Sequence, residues 1–209
     1  MSGNINQNNP PRKLTKYLLP AILVVGFGIF FLSGANELVS WQNVATHYAS
    51  LNGFVEANIW LSYLIFMLGY AVVVAFSLPI ALPLTLTSGA LLGWPAVILI
   101  ICAATAGAGI VFIAARSILA DMLRLRAGPF VAKLEAGFNR NSFSYLLALR
   151  LIPVAPFWVI NIVPALTNMR LGPFLLATFI GIIPGTTVFI SVGRGFDHIL
   201  AAGQKPDLA

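Results

Sequence analysis

No acidic or basic residue occurs between residues 57 and 115. As one continuous helix that run would be about 90 Å long, nearly three times the hydrocarbon thickness of a bilayer. It has to fold back on itself, and its prolines and glycines say where. Residues 60–78 form one arm, residues 79–83 a turn, residues 84–93 a second arm, and residues 95–116 a full-length helix. The second arm reaches about 15 Å, half the hydrocarbon core, so it cannot cross. A re-entrant hairpin over 60–93 followed by a span over 95–116 fits these lengths.

A second stretch, residues 145–164, is equally apolar yet carries Arg150, Pro153, Pro156, Asn161 and Pro164. Proline removes a backbone donor, and no water in the hydrocarbon core replaces the lost bond. Arginine at that depth costs about 3 kcal/mol on insertion scales. Broken backbone persists at membrane depth where protein buries it or where it lines a wet cavity. The stretch therefore reads as a second re-entrant hairpin, over 142–168, built around a working site. The run after it, 172–193, is a full span.

Composition supports a membrane reading and excludes several others. Hydrophobic residues make up 59% of the chain and charged residues 9%, against roughly 25% charged in soluble domains. The net charge of +6 is concentrated: Arg12, Lys13 and Lys16 precede the first apolar run, and Arg116, Arg124, Arg126, Lys133 and Arg140 cluster mid-chain. That distribution fits the positive-inside rule rather than a nucleic-acid face. Residues 1–16 read as a disordered cytoplasmic N-terminus and 17–35 as a transmembrane helix. Ser33-Gly34-Ala35 keeps a cleaved signal peptide open as the alternative. Residues 36–58 are amphipathic and suit the membrane interface. Residues 117–141 form a cytoplasmic basic loop, and 196–209 a polar tail. An odd net number of crossings places that loop inside, as its charge requires.

Enzymatic machinery is not expected. There is no Ser/His/Asp set, no paired carboxylates and no His-rich metal pattern, so neither a cofactor nor a metal site is expected. Gly193-Arg194-Gly195 lacks the strand and third glycine of a dinucleotide loop. Cys102 reads as a small buried side chain inside an apolar helix. His47 and His198 have no second ligand near them in sequence.

Leu78-Pro79-Ile80-Ala81-Leu82-Pro83 resembles Ile152-Pro153-Val154-Ala155-Pro156, and each is followed by a short arm and a Gly-bearing span. The expected fold is thus an all-α integral membrane protein. Its membrane domain, 59–195, would be an inverted repeat of re-entrant hairpin plus transmembrane helix, a pattern of secondary transporters. Gly107, Gly109, Gly181 and Gly185 are expected to pack helices closely.

The sequence resembles the DedA superfamily, also called the SNARE-associated Golgi protein or VTT-domain family. The likeness rests on Leu78-Pro79, on Gly89-Ala90-Leu91-Leu92-Gly93-Trp94, on the glycine-rich helix ending at Arg116, on Arg150-Leu151-Ile152-Pro153 and on Gly181-x-x-Pro184-Gly185. It covers roughly residues 60–195. It implies opposed re-entrant loops and lipid translocation: bacterial members are implicated in flipping undecaprenyl phosphate or in envelope homeostasis, eukaryotic ones in phospholipid scrambling and membrane traffic. Two features depart from the typical branch. The first hairpin has no acid, and Pro156 stands where a second arginine is usual, so the resemblance does not extend to proton coupling.

A guanidinium as deep as Arg150 needs carbonyls, a carboxylate or a phosphate. The apolar runs contain no acid, which leaves carbonyls freed by the proline turn or an incoming anion. The anion is preferred, with carbonyls serving at rest. Asn161, Pro153, Pro156 and Pro164 would line the slot from one side and Pro79, Pro83, Gly89 and Gly93 from the other. Arg116, Arg124, Arg126 and Lys133 would contact anionic headgroups, although Arg116 at a helix end also suits a topology anchor. The leading expectation is a translocase for a phosphate-bearing lipid in a bacterial plasma (inner) membrane, N-terminus cytoplasmic. Its partners would be membrane lipids and no nucleic acid, with a homo-oligomer left open. A non-transporting membrane adaptor and a small-ion transporter are the alternatives.

Overall fold

The computed structural model describes residues 25–26, 28–29, 32, 41–119, 128–152 and 157–195. Among them all regular structure is helical, in the order α1 (Trp41–Ala57), α2 (Ile59–Ala75), α3 (Ala81–Leu92), α4 (Pro95–Ala114), α5 (Gly128–Leu151), α6 (Phe157–Leu166) and α7 (Leu171–Gly195). A π-helical turn, Ala115–Leu119, continues α4. The expected helix at 17–35, the middle of the basic loop, the turn at 153–156 and the tail lie outside the described residues.

Local chemistry sets the breaks. After α2 the Leu78 amide donates to the Val73 carbonyl and the Ser77 amide to that of Val74, with Ser77 in the left-handed region at φ 52°. This is a Schellman ending with serine where glycine is usual. Pro79 then follows, so the turn begins a little earlier than the prolines predict, and Pro83 falls in the first turn of α3, where its missing amide is harmless. Gly93, at φ 64°, ends α3, and Pro95 opens α4 at a position that tolerates it. The expected boundary at 141/142 is a kink rather than a loop. Asn141 leaves helical geometry at φ −157°, and its Oδ1 accepts the Ser144 amide at 3.1 Å, capping the arm that follows.

Among the described residues two helices are long and apolar enough to cross a bilayer, Pro95–Ser117 and Leu171–Gly195. His47–Ala57 and Ile59–Ala75 pass the same test as a pair, bent by 117°. Helix α3, with 12 residues, extends about 18 Å and falls short of the hydrocarbon thickness.

Missing side chains decide how these helices meet. A Cβ on Gly107 would lie 2.6 Å from the Ala71 carbonyl oxygen, so α2 rests directly on α4; a Cβ on Gly181 would lie 2.5 Å from the Arg150 Cβ, so α5 rests on α7. Crosswise, α3 packs on α7 and α6 on α4. Each long helix thus carries two shorter ones, α2 and α6 on α4, and α3 and α5 on α7. Between the two long helices, Phe112 and Phe174 stack at 4.5 Å, both buried.

The tightest approach is α3 on α7. A Cβ on Gly89 would sit 2.6 Å from the Ile190 carbonyl oxygen, and one on Gly193 would run into the Leu86 carbonyl. Backbone, not flexible side chain, stands in the way. Gly193→Val should therefore destabilise the protein by about 3 kcal/mol, the upper end for overpacking. The check is the thermal midpoint of the purified protein, with Gly195→Val as control, since nothing lies within 4 Å of a Cβ at Gly195.

Candidate functional site

A cavity of about 520 Å³ opens among α2, α3, α5 and α7. The α2–α3 turn supplies Ser77, Leu78 and Pro79, helices α2 and α3 supply Tyr70 and Thr85, and α5 supplies Arg150. Helix α7 forms the remaining wall through Gly181, Gly185, Thr186 and Phe189. The volume lies within the usual range for small-molecule sites. Ser77 reaches the cavity from a backbone conformation that a non-glycine residue adopts at a cost of about 1–2 kcal/mol, and such strain gathers at functional sites.

Arg150 sits at the end of α5, and its placement depends on α7. Its Nη2 donates to Asn161 Oδ1 at 2.7 Å and to Thr178 Oγ1 at 3.0 Å. The guanidinium carbon lies 5.8 Å from the centre of the Phe174 ring, within cation–π range. Asn161 is fully buried in α6, and its Nδ2 has no hydrogen-bond partner among the described residues. Two neutral acceptors, an amide oxygen and a hydroxyl, thus help to hold the guanidinium. Opposite it, the Thr85 hydroxyl donates to the Ala81 carbonyl at 2.7 Å, so in the 2.9 Å pair with Tyr70 the tyrosine is the donor. That pair fastens α2 to α3 at the cavity wall.

Arg116 ends the other span differently. It donates to the carbonyls of Ala165 at 3.3 Å, Thr167 at 2.8 Å and Met169 at 2.6 Å, and its guanidinium lies 4.8 Å from the Phe112 ring centre. These carbonyls end α6 or follow it, where helical partners run out. In this structure Arg116 holds backbone. At the far end of α7, Arg194 lies over Trp94 at 4.9 Å. Arg116→Ala should destabilise the protein by about 2–3 kcal/mol, as expected for charge-assisted bonds left unmade. Lysine should restore less than half of the loss, because an ammonium cannot fork between carbonyls. Limited proteolysis near residue 168 would report both effects.

The structure brings Arg150, Pro79, Gly181 and Gly185 together at the cavity and sets Asn161 behind Arg150. Pro164 is buried within α6, whereas Cys102, expected to be buried, is exposed on α4. Pro83, Gly89 and Gly93 do not line the cavity: Pro83 accepts the Thr87 hydroxyl, Gly89 meets α7, and Gly93 lies near Arg194. Gly107 and Gly109 do pack helices, against Val74 and Leu175, whereas nothing lies within 4 Å of a Cβ at Gly185. Pro153, Pro156, Arg124 and Arg126 lie outside the described residues, as does the Lys133 side chain. Tyr70, Ser77, Thr85, Thr178 and Thr186 escape sequence reasoning. Hydroxyls in apolar helices usually satisfy themselves on the preceding turn, so their presence alone signals little.

Two apolar spans, shorter apolar helices packed on them and a buried arginine at a largely apolar cavity define an integral membrane protein. Residues 78–195 match the VTT domain. The chain belongs to the VTT domain family, the DedA superfamily that the motifs suggest. It is 26% identical over 134 residues to a transmembrane protein 41 homolog of Caenorhabditis elegans, covering 62% of this chain and 54% of the relative. To transmembrane protein 41B of Danio rerio it is 28% identical over 141 residues, 65% of this chain and 49% of the relative. To the uncharacterized protein YqeD of Bacillus subtilis it is 37% identical over 92 residues, 43% of this chain and 44% of the relative. The chain spans about half the length of these curated relatives. No solved structure matches.

Proposed function

We propose that the chain translocates a phosphate-bearing lipid, such as a phospholipid or a polyprenyl phosphate, across the bilayer. One observation carries this reading: the proline turn of one helical pair and the arginine of the other face the same 520 Å³ cavity. A phosphate matches the planar fork of a guanidinium, and the apolar tail would remain in the surrounding lipid. The two units would be inverted re-entrant repeats, a reading supported by the crosswise packing of α3 on α7 and α6 on α4. Inverted repeats of this kind place their substrate sites near the midplane. The basic loop would face the cytoplasm of a bacterial cell, with the N-terminus on the same side, and Arg124, Arg126 and Lys133 would meet anionic headgroups there.

Reconstitution tests the reading. Vesicles of phosphatidylethanolamine and phosphatidylglycerol carrying a fluorescent phospholipid should exchange it between leaflets faster with the protein than without. No acceleration for any phosphate-bearing lipid, or ion flux without lipid exchange, would remove the proposal in favour of an adaptor or an ion transporter.

A further inference from the structure

A second hollow, of about 330 Å³, lies between α1, α2 and α3. Helix α3 is a partition: Thr85 faces the Arg150 cavity, while Thr87 and Ser88 face this cleft. The cleft is lined by Phe54, Phe66 and Leu91. Leu51, Phe54 and Ile65 at its edge are 39%, 45% and 56% exposed. In an integral membrane protein such an apolar rim opens to lipid rather than to water.

The cleft also holds a hydroxyl left over by the fold. Ser62, on α2, is 6% exposed, and its Oγ has no hydrogen-bond partner among the described residues. The other cleft hydroxyls are spent: Thr87 donates to the Pro83 carbonyl at 2.9 Å and Ser88 to that of Thr85 at 2.7 Å. Ser62 does not take the usual way out for a helical serine, a bond to the preceding turn. The Asn58 carbonyl accepts the Ser62 backbone amide instead, at 2.9 Å. The Oγ itself is enclosed, and a turn about χ1 would bring this unmatched donor to the cleft that its residue lines. Ser62 lies one turn, about 5–6 Å, below the 117° break between α1 and α2. If α1 lies in the interface, this is the level of glycerol ester carbonyls.

We infer that this cleft binds one acyl chain of a glycerolipid, whose ester carbonyl accepts the Ser62 proton while the chain lies against Phe54, Phe66 and Leu91. The site is separate from the Arg150 cavity and stands whether or not lipid is translocated there. Its occupant braces the bend between α1 and α2.

The test uses the full-length protein in vesicles of phosphatidylethanolamine and phosphatidylglycerol, doped with a phosphatidylethanolamine bearing a diazirine near the carboxyl end of one acyl chain. After irradiation, cross-links are mapped by mass spectrometry. The expected result is strong enrichment at Phe54, Phe66 and Leu91 over Ile98 and Val188, which are 69% and 59% exposed on other helices. Ser62→Ala should lower the cleft yield about fivefold, the loss of one ordinary hydrogen bond. An ether-linked probe, lacking the carbonyl, should fall likewise. Thr87→Trp should bring the yield to the level of Ile98, and Ser62→Leu serves if that variant does not fold. Arg150→Ala should leave it unchanged. Cleft labelling no stronger than at Ile98 and Val188 would overturn the site. Equal enrichment with ester and ether probes would overturn the role of Ser62, and loss in Arg150→Ala would overturn its independence.

Discussion

Arg150→Ala should slow lipid exchange in reconstituted vesicles at least tenfold, and about 100-fold if the phosphate takes two guanidinium bonds. A hydrogen bond to a charged group contributes about 1.5–3 kcal/mol, and each 1.4 kcal/mol is a factor of ten. Part of the loss would be structural, because the substitution also strips Asn161 and Thr178 of their donor at 2.7 and 3.0 Å. Arg150→Lys separates the two effects. It keeps the charge but cannot hold both acceptors and an anion with one fork, so it should retain roughly a tenth of the rate. Parallel thermal midpoints would show how much of each change is unfolding. Exchange at the native rate in Arg150→Ala would end the case for a phosphate site.

Gly185→Phe should block exchange as completely, for the opposite reason: it adds matter where the cavity needs space. Gly185 lines the cavity, and a Cβ there would meet nothing within 4 Å. Replacing glycine inside a helix is worth up to about 1 kcal/mol in backbone terms, so the variant should fold with an unchanged or higher thermal midpoint. One turn earlier the outcome reverses. Gly181→Phe drives side-chain atoms into Arg150, whose Cβ lies 2.5 Å from where the new Cβ would be, and should lower the midpoint. The pair thus separates a blocked route from a damaged fold. A Gly185→Phe protein exchanging lipid at the native rate would show that the cavity is not the route.

Much of this arrangement is legible in the sequence because breakers and charges act locally. Pro79, Gly93 and Pro95 mark where α2–α3 and α3–α4 turn, and the absence of charge over 57–115 compels the folding back. Arg150 stands out because few other residues cost so much in an apolar run. What escapes depends on a second element that spacing cannot see. Gly89 reads as part of a binding slot, yet its small size is spent on the Ile190 carbonyl of α7. Arg116 reads as an anchor or a lipid contact, and its bonds reach carbonyls at 165, 167 and 169, far along the chain. Thr178 is one of several hydroxyls in apolar helices, and nothing nearby in sequence singles it out as the residue facing Arg150. The kink at Asn141 hides for a related reason: an Asx cap can restart a helix without leaving a visible loop.

The bonds from Arg116 carry a mechanical consequence. The foot of α6 is tied to the end of α4, and the end of α7 rests on Trp94 at the head of α4. A tilt of either long helix would therefore pull on these contacts. Sliding one half past the other would break such ties, whereas tilting both together about their shared seam would keep them. Such a scaffold would favour rocking over shear.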